Sequence, residues 1–258
     1  MSELESPSAA GPAPEGSGLS QWQRVANTFT APSKTFEDIK RGNRSWWMPF
    51  LITALFGTFL FGAITTQVTW GVVFENSQRE MPEFFKRMME NMTPEQRAQQ
   101  ERAGPISQEI NWALAPLGLL LMDVIAAAVL LGTINFGFGG KATFSSILAV
   151  TLYAGLVLWP IKLLLGGIAL FAGALPEAFN PGNPAGTNLA YYLSKPDTPP
   201  VLYMLATYAD ILTIWNLVLT SIGVAVVAGT KRSAGYFAVF GWWVLLALIG
   251  LGFVAIAG

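Results

Sequence analysis

The sequence predicts an all-α integral membrane protein: a bundle of five transmembrane helices with short amphipathic interfacial helices. Three observations carry this. Apolar runs at about 46–74, 112–136, 144–173, 201–228 and 236–257 reach or exceed the roughly 20 residues a helix needs to cross a hydrocarbon core about 30 Å thick. Of the 258 residues, 52% are hydrophobic and 12% charged, against about 25% charged in soluble domains. Inside lipid every backbone N–H and C=O needs an internal partner, so each run is a helix rather than an open strand.

Residues 1–18 are rich in Ser, Pro, Gly and Ala and show no periodicity. Such a segment buries too little apolar surface to order itself, so 1–21 reads as a disordered tail ahead of one membrane domain over 22–258. Nothing in 1–45 has the apolar core of a signal peptide, and the first span is expected to be an uncleaved anchor.

Trp22, Val25 and Phe29 recur at helical spacing before a break at Ala31-Pro32. A second short helix is expected next, with Ser33 as its N-cap and carboxylates in its first turn. Phe36 and Ile39 share one of its faces, and Lys40, Arg41 and Arg44 follow. An aromatic and basic pattern just before a span suits a helix lying among lipid headgroups. Trp22, Phe29, Phe36 and Ile39 are therefore candidates for interface or partner contact; an ordinary juxtamembrane linker is the alternative.

Between the first two spans, 75–111 holds seven glutamates and five Lys or Arg. Met81, Phe84, Phe85, Met88, Met89 and Met92 fall on one helical face there. Phe84, Phe85, Met88 and Met92 are candidates to grip a partner helix or rest on lipid, with packing on the protein's own spans as the alternative. Thr93-Pro94-Glu95-Gln96 restarts a helix with Thr93 as cap, Pro94 first and Gln96 closing a capping box. The proline-rich segment 174–200 is expected to be irregular and surface-exposed. Five spans place the termini on opposite sides, and the short loops 137–143 and 229–235 are purely basic, which favours a cytoplasmic amino terminus.

Much chemistry is excluded. The chain has no cysteine and no histidine, which removes disulfides, thiolate nucleophiles, the commonest metal ligands and the commonest general base. A net charge of −1 exerts no pull on nucleic acid. No cofactor, metal or catalytic residue is expected.

Three ionisable residues stand out inside the runs: Asp123, Lys162 and Asp210. Counted along the runs from the side opposite the amino terminus, they lie about 11, 11 and 9 residues in, roughly 14–17 Å at the helical rise. They are thus expected to share one level as an intramembrane charge cluster. An unpaired charge at that depth costs at least about 2.5–3.5 kcal/mol. Lys162 is expected to pair with Asp123 or Asp210, and the second carboxyl would be left for a proton or a transported cation. Pro160 is expected to kink the third span.

Several stretches resemble one family. Ala31-Pro32-Ser33-Lys34-Thr35-Phe36-Glu37-Asp38-Ile39 followed by Trp46, Trp47 and Pro49 looks like the entry to the first span of Yip-family membrane proteins. Gly139-Gly140-Lys141-Ala142-Thr143-Phe144 looks like the loop before their third span. Asp210-Ile211-Leu212-Thr213-Ile214-Trp215-Asn216 resembles their fourth, and Thr93-Pro94-Glu95-Gln96 resembles the first extramembrane loop of bacterial members. The resemblance covers about 22–258 and implies five spans with a cytoplasmic amino terminus, in a bacterial inner membrane. Eukaryotic relatives act in vesicle trafficking, Rab-GTPase binding and membrane shaping, and the family has no catalytic residues to carry over.

Two functional readings stay open. One is a non-enzymatic membrane scaffold or adaptor whose partners are the bilayer, a membrane or peripheral protein, and a second copy of the chain. The other is a small-solute or ion transporter using Asp123, Lys162 and Asp210.

Overall fold

The computed structural model describes residues 18–79, 81, 83–176, 179–180, 183–195 and 197–257, excepting the side chains of Glu83, Phe84 and Ala257. The tail up to residue 17 lies outside them. The described residues form an all-helical protein with no strand.

Five helical stretches are long and apolar enough to cross a membrane: Trp47–Gln67, Ala115–Gly137, Phe144–Phe171, Ile211–Ala228 and Arg232–Ile256. Their limits differ from the apolar runs because hydropathy does not report helix continuity. The first run breaks at Val68-Thr69, where Thr69 takes φ 76°, a left-handed conformation unusual for a β-branched residue. Helix α3 (Trp47–Gln67) ends there, and α4 (Trp70–Arg79) starts anew. The third run is two helices, α8 (Phe144–Gly155) and α9 (Trp159–Phe171). Pro160 sits in the first turn of α9, where its missing N–H has no helical partner to lose, so it opens a helix instead of kinking one. The fourth run is also two helices, α10 (Pro200–Tyr208) and α11 (Ile211–Ala228).

Two short helices, α1 (Gln21–Thr30) and α2 (Pro32–Lys40), precede the first span. Ser20 caps α1 through a capping box with Gln23. Helix α2 is capped by Ala31 and not by Ser33, because Pro32, with φ already near the helical value, takes the first helical position. Between α4 and the second span lie α5 (Glu83–Glu90) and α6 (Pro94–Ala113), the latter with the Thr93–Gln96 capping box. Helix α7 (Ala115–Gly132) continues through a π-turn at Thr133–Gly137, and α12 (Arg232–Ala257) ends the chain.

Helix α8 is the centre of the bundle, buried at every position from Ser146 to Gly155. It is packed by α7, α11 and α2, and Phe36, Ile39, Val150, Tyr153 and Val224 share its core. A second core joins α3, α4 and α9 through Leu60, Ile64, Val73, Leu163 and Leu170. The segment 174–200 is irregular but not a free surface loop. Phe179, Ala185, Asn188 and Ala190 are buried, and the Asn76 amide of α4 donates to the Pro176 and Phe179 carbonyls at 2.8 and 3.0 Å. These contacts satisfy backbone groups that burial would otherwise leave unpaired.

Candidate functional site

The bundle holds two clusters of buried charge. In the first, Lys162 on α9 places its Nζ 2.6 Å from Asp210 Oδ2. Asp210 lies in the break between α10 and α11 and acts as the N-cap of α11, its Oδ1 accepting from the Thr213 N–H at 2.9 Å. The Thr187 hydroxyl donates to Oδ2 at 3.0 Å. A reciprocal Asn183–Asn188 amide pair braces this part of the loop. The side chains are 18% and 2% exposed, so the pair is sealed on the carboxylate side. The Thr213 N–H, the Thr187 hydroxyl and the Lys162 ammonium together supply the hydrogen bonds that a buried carboxylate requires.

Asp123 is not part of that pair. It lies half-buried on α7, and its polar neighbour is the Thr151 hydroxyl of α8. It forms no ion pair with a described residue. The three charges were expected at one level because each run was counted as one continuous helix. The breaks at 156–158 and 209–210 interrupt those runs, so counting residues along them does not fix the depths of Lys162 and Asp210.

The second cluster fastens α1 and α2 to the bundle. Arg24 is fully buried, with Nε 3.6 Å from Asp38 Oδ2. Its Nη1 donates to the Asn43 and Ser45 carbonyls at 2.9 and 3.1 Å, and its guanidinium lies 5.1 Å over the Tyr153 ring. Asp38 in turn accepts from the Leu19 N–H and the Asn43 amide, each at 3.0 Å. Tyr153 donates to Gln21 at 2.8 Å, and the Thr28 and Thr35 hydroxyls both donate to the Arg24 carbonyl. Helix α1 therefore turns its polar stripe inward, with Arg24 and Thr28 buried and Gln21 half-buried, and leaves Trp22 66% exposed. Sequence reading passed over Arg24, because a polar stripe on an amphipathic helix normally marks the solvated side. The available signal was the spacing of Gln21, Arg24 and Thr28 on one face.

The candidate contact residues separate into two groups. Phe36 and Ile39 are fully buried in the core around α8 and α11 and are closed to any outside partner. This corrects the expectation of an interfacial face: the residues do form one apolar stripe, but it packs on protein. Phe29 is partly exposed and meets Trp215 edge-on at 5.9 Å. Phe85 and Met88 are exposed on α5, Met92 is half-buried, and the side chain of Phe84 lies outside those described.

No curated protein and no solved structure matches the chain. The helical bundle, its five membrane-crossing stretches and a family model for the Yip1 domain that matches residues 26–254, nearly the whole chain, agree, and the chain belongs to the Yip1-domain family.

Proposed function

We propose that this Yip1-domain protein is a non-enzymatic membrane scaffold or adaptor, with a role in membrane organisation or trafficking and its amino terminus on the cytoplasmic side of a bacterial inner membrane. One observation carries the reading. The Arg24–Asp38–Tyr153 cluster locks α1 and α2 onto the membrane bundle as a fixed platform while Trp22 projects from it. A rigid surface with an exposed indole suits recognition, since little ordering entropy is lost on binding. Exposed Phe85 and Met88 on α5 offer a second apolar surface, in the segment between the first two spans. Lysines and arginines in the two short loops near α1 and α2 support the orientation. The Lys162–Asp210 pair fits a helix clamp, because its carboxylate is saturated by groups of the chain itself.

Transport is the second reading, and Asp123 favours it, being a membrane carboxyl whose polar partner among the described residues is a neutral hydroxyl. The test is crosslinking mass spectrometry of the protein purified in native-like lipid, comparing wild type with Lys162→Met. A reproducible partner joined through 22–45 or 75–111, unchanged by the substitution, supports the scaffold. A folded Lys162→Met protein that loses a growth phenotype, with no partner captured, supports transport.

A further inference from the structure

Three segments that carry four cations meet around the end of α11. The Lys40 Nζ at the end of α2 is 3.8 Å from where a Cβ would stand on Gly229, the left-handed residue that ends α11. Lys141, in the loop between α7 and α8, donates its backbone N–H to the Ala228 carbonyl at 3.0 Å. Lys231 and Arg232 come two and three residues after Gly229, and Arg232 opens α12. None of these four side chains forms an ion pair or hydrogen bond with a described residue.

Among the described residues, carboxylates free to neutralise them are few. Beyond residue 111 the acidic residues are Asp123, Glu177, Asp197 and Asp210. Asp123 lies within a span, and the others fall in the sequence between α9 and α11. On α2, Asp38 is sealed against Arg24, and Glu37 sits 3.9 Å from Arg41. The same place contains a buried hydroxyl, Thr230 Oγ1, with no hydrogen-bond partner among the described residues. It also holds the start of α12, where free N–H groups favour negative charge. Close in sequence to Lys141 and Arg232 are exposed apolar rings, Phe138, Phe144 and Phe237, at the ends of membrane-crossing stretches.

We propose that the end of α2, the α7–α8 loop and the start of α12 form a binding site for the phosphate of an anionic lipid headgroup. Lys40, Lys141, Lys231 and Arg232 surround the phosphate, and the phenylalanines contact the upper acyl chain. The rings at the bilayer edge decide for a lipid over a free anion, because they meet nothing useful on inorganic phosphate.

The test measures lipid retained by the full-length protein. Nanodiscs with equal phosphatidylglycerol and phosphatidylcholine are stripped progressively, and bound lipid is counted by native mass spectrometry. Wild type should retain phosphatidylglycerol preferentially. Lys141→Gln with Lys231→Gln should reduce the preference about fivefold per cation removed. The arginine versions of both should preserve it, as should Arg97→Gln with Arg102→Gln on α6. Each single glutamine variant repeats the measurement should the pair not fold. Equal retention by wild type and glutamine variants overturns the site. Displacement of the lipid by inorganic phosphate alone overturns the lipid assignment, as does loss of preference in the α6 variant.

Discussion

Arg24 Nε lies 3.6 Å from Asp38 Oδ2, and neither side chain is open to solvent. Removing one member of a buried pair leaves the other uncompensated, at a cost of about 3–5 kcal/mol. Arg24→Met and Asp38→Asn should each lower the unfolding midpoint in detergent and expose 21–46 to protease. The double variant should lose clearly less than the sum of the two. Simple additivity would show that the two groups act independently.

Tyr153 acts on the same arginine through its ring and on Gln21 through its hydroxyl. Tyr153→Phe keeps the ring and should cost about 1 kcal/mol, the worth of one hydrogen bond. Tyr153→Leu also removes the cation–π contact and should cost about 1–2 kcal/mol more. Equal losses in denaturant unfolding would mean that the ring face contributes nothing.

Asp210 has two tasks and Lys162 one. Lys162→Met leaves the carboxylate with the Thr213 N–H and the Thr187 hydroxyl. Asp210→Ala removes the cap of α11, worth about 1 kcal/mol, and strands a lysine among apolar helices, at about 3–5 kcal/mol. Asp210→Ala should therefore be the more destabilising change, and adding Lys162→Met to it should restore part of the loss. The ordering is read from thermal unfolding in bicelles; the reverse ordering would mean that the pair is not held by the carboxylate.

The five membrane crossings were legible because apolarity over a bilayer's width has one solution for the backbone. Where a run stops being one helix was not, because Val68-Thr69 and Ala209-Asp210 are as compatible with a helical run as their neighbours by composition alone. That is why Asp210 looked mid-helix and proved to be a cap. The apolar stripe of Phe36 and Ile39 was legible too, but protein and lipid are equally apolar partners, so its destination was not. Arg24 shows the opposite failure. Its face looks solvated until Asp38, Asn43 and Tyr153 close around it, and those positions are joined only by the fold.

Helices α11 and α12 approach closely at Gly235. A Cβ there would fall on the Ser221 carbonyl oxygen and stand 3.0 Å from the Ala225 Cβ, so backbone rather than a flexible side chain blocks it. Gly235→Ala must push the two helices apart, and overpacking of this kind costs about 1–3 kcal/mol. Gly241, on the same helix, has nothing within 4 Å of its added Cβ. There the gain in helix propensity, about 1 kcal/mol, should leave Gly241→Ala neutral or slightly stabilising. Unfolding followed by tryptophan fluorescence should move in opposite directions for the two variants. A shared direction and size would show that α11 and α12 are not held at this crossing by the absence of a side chain.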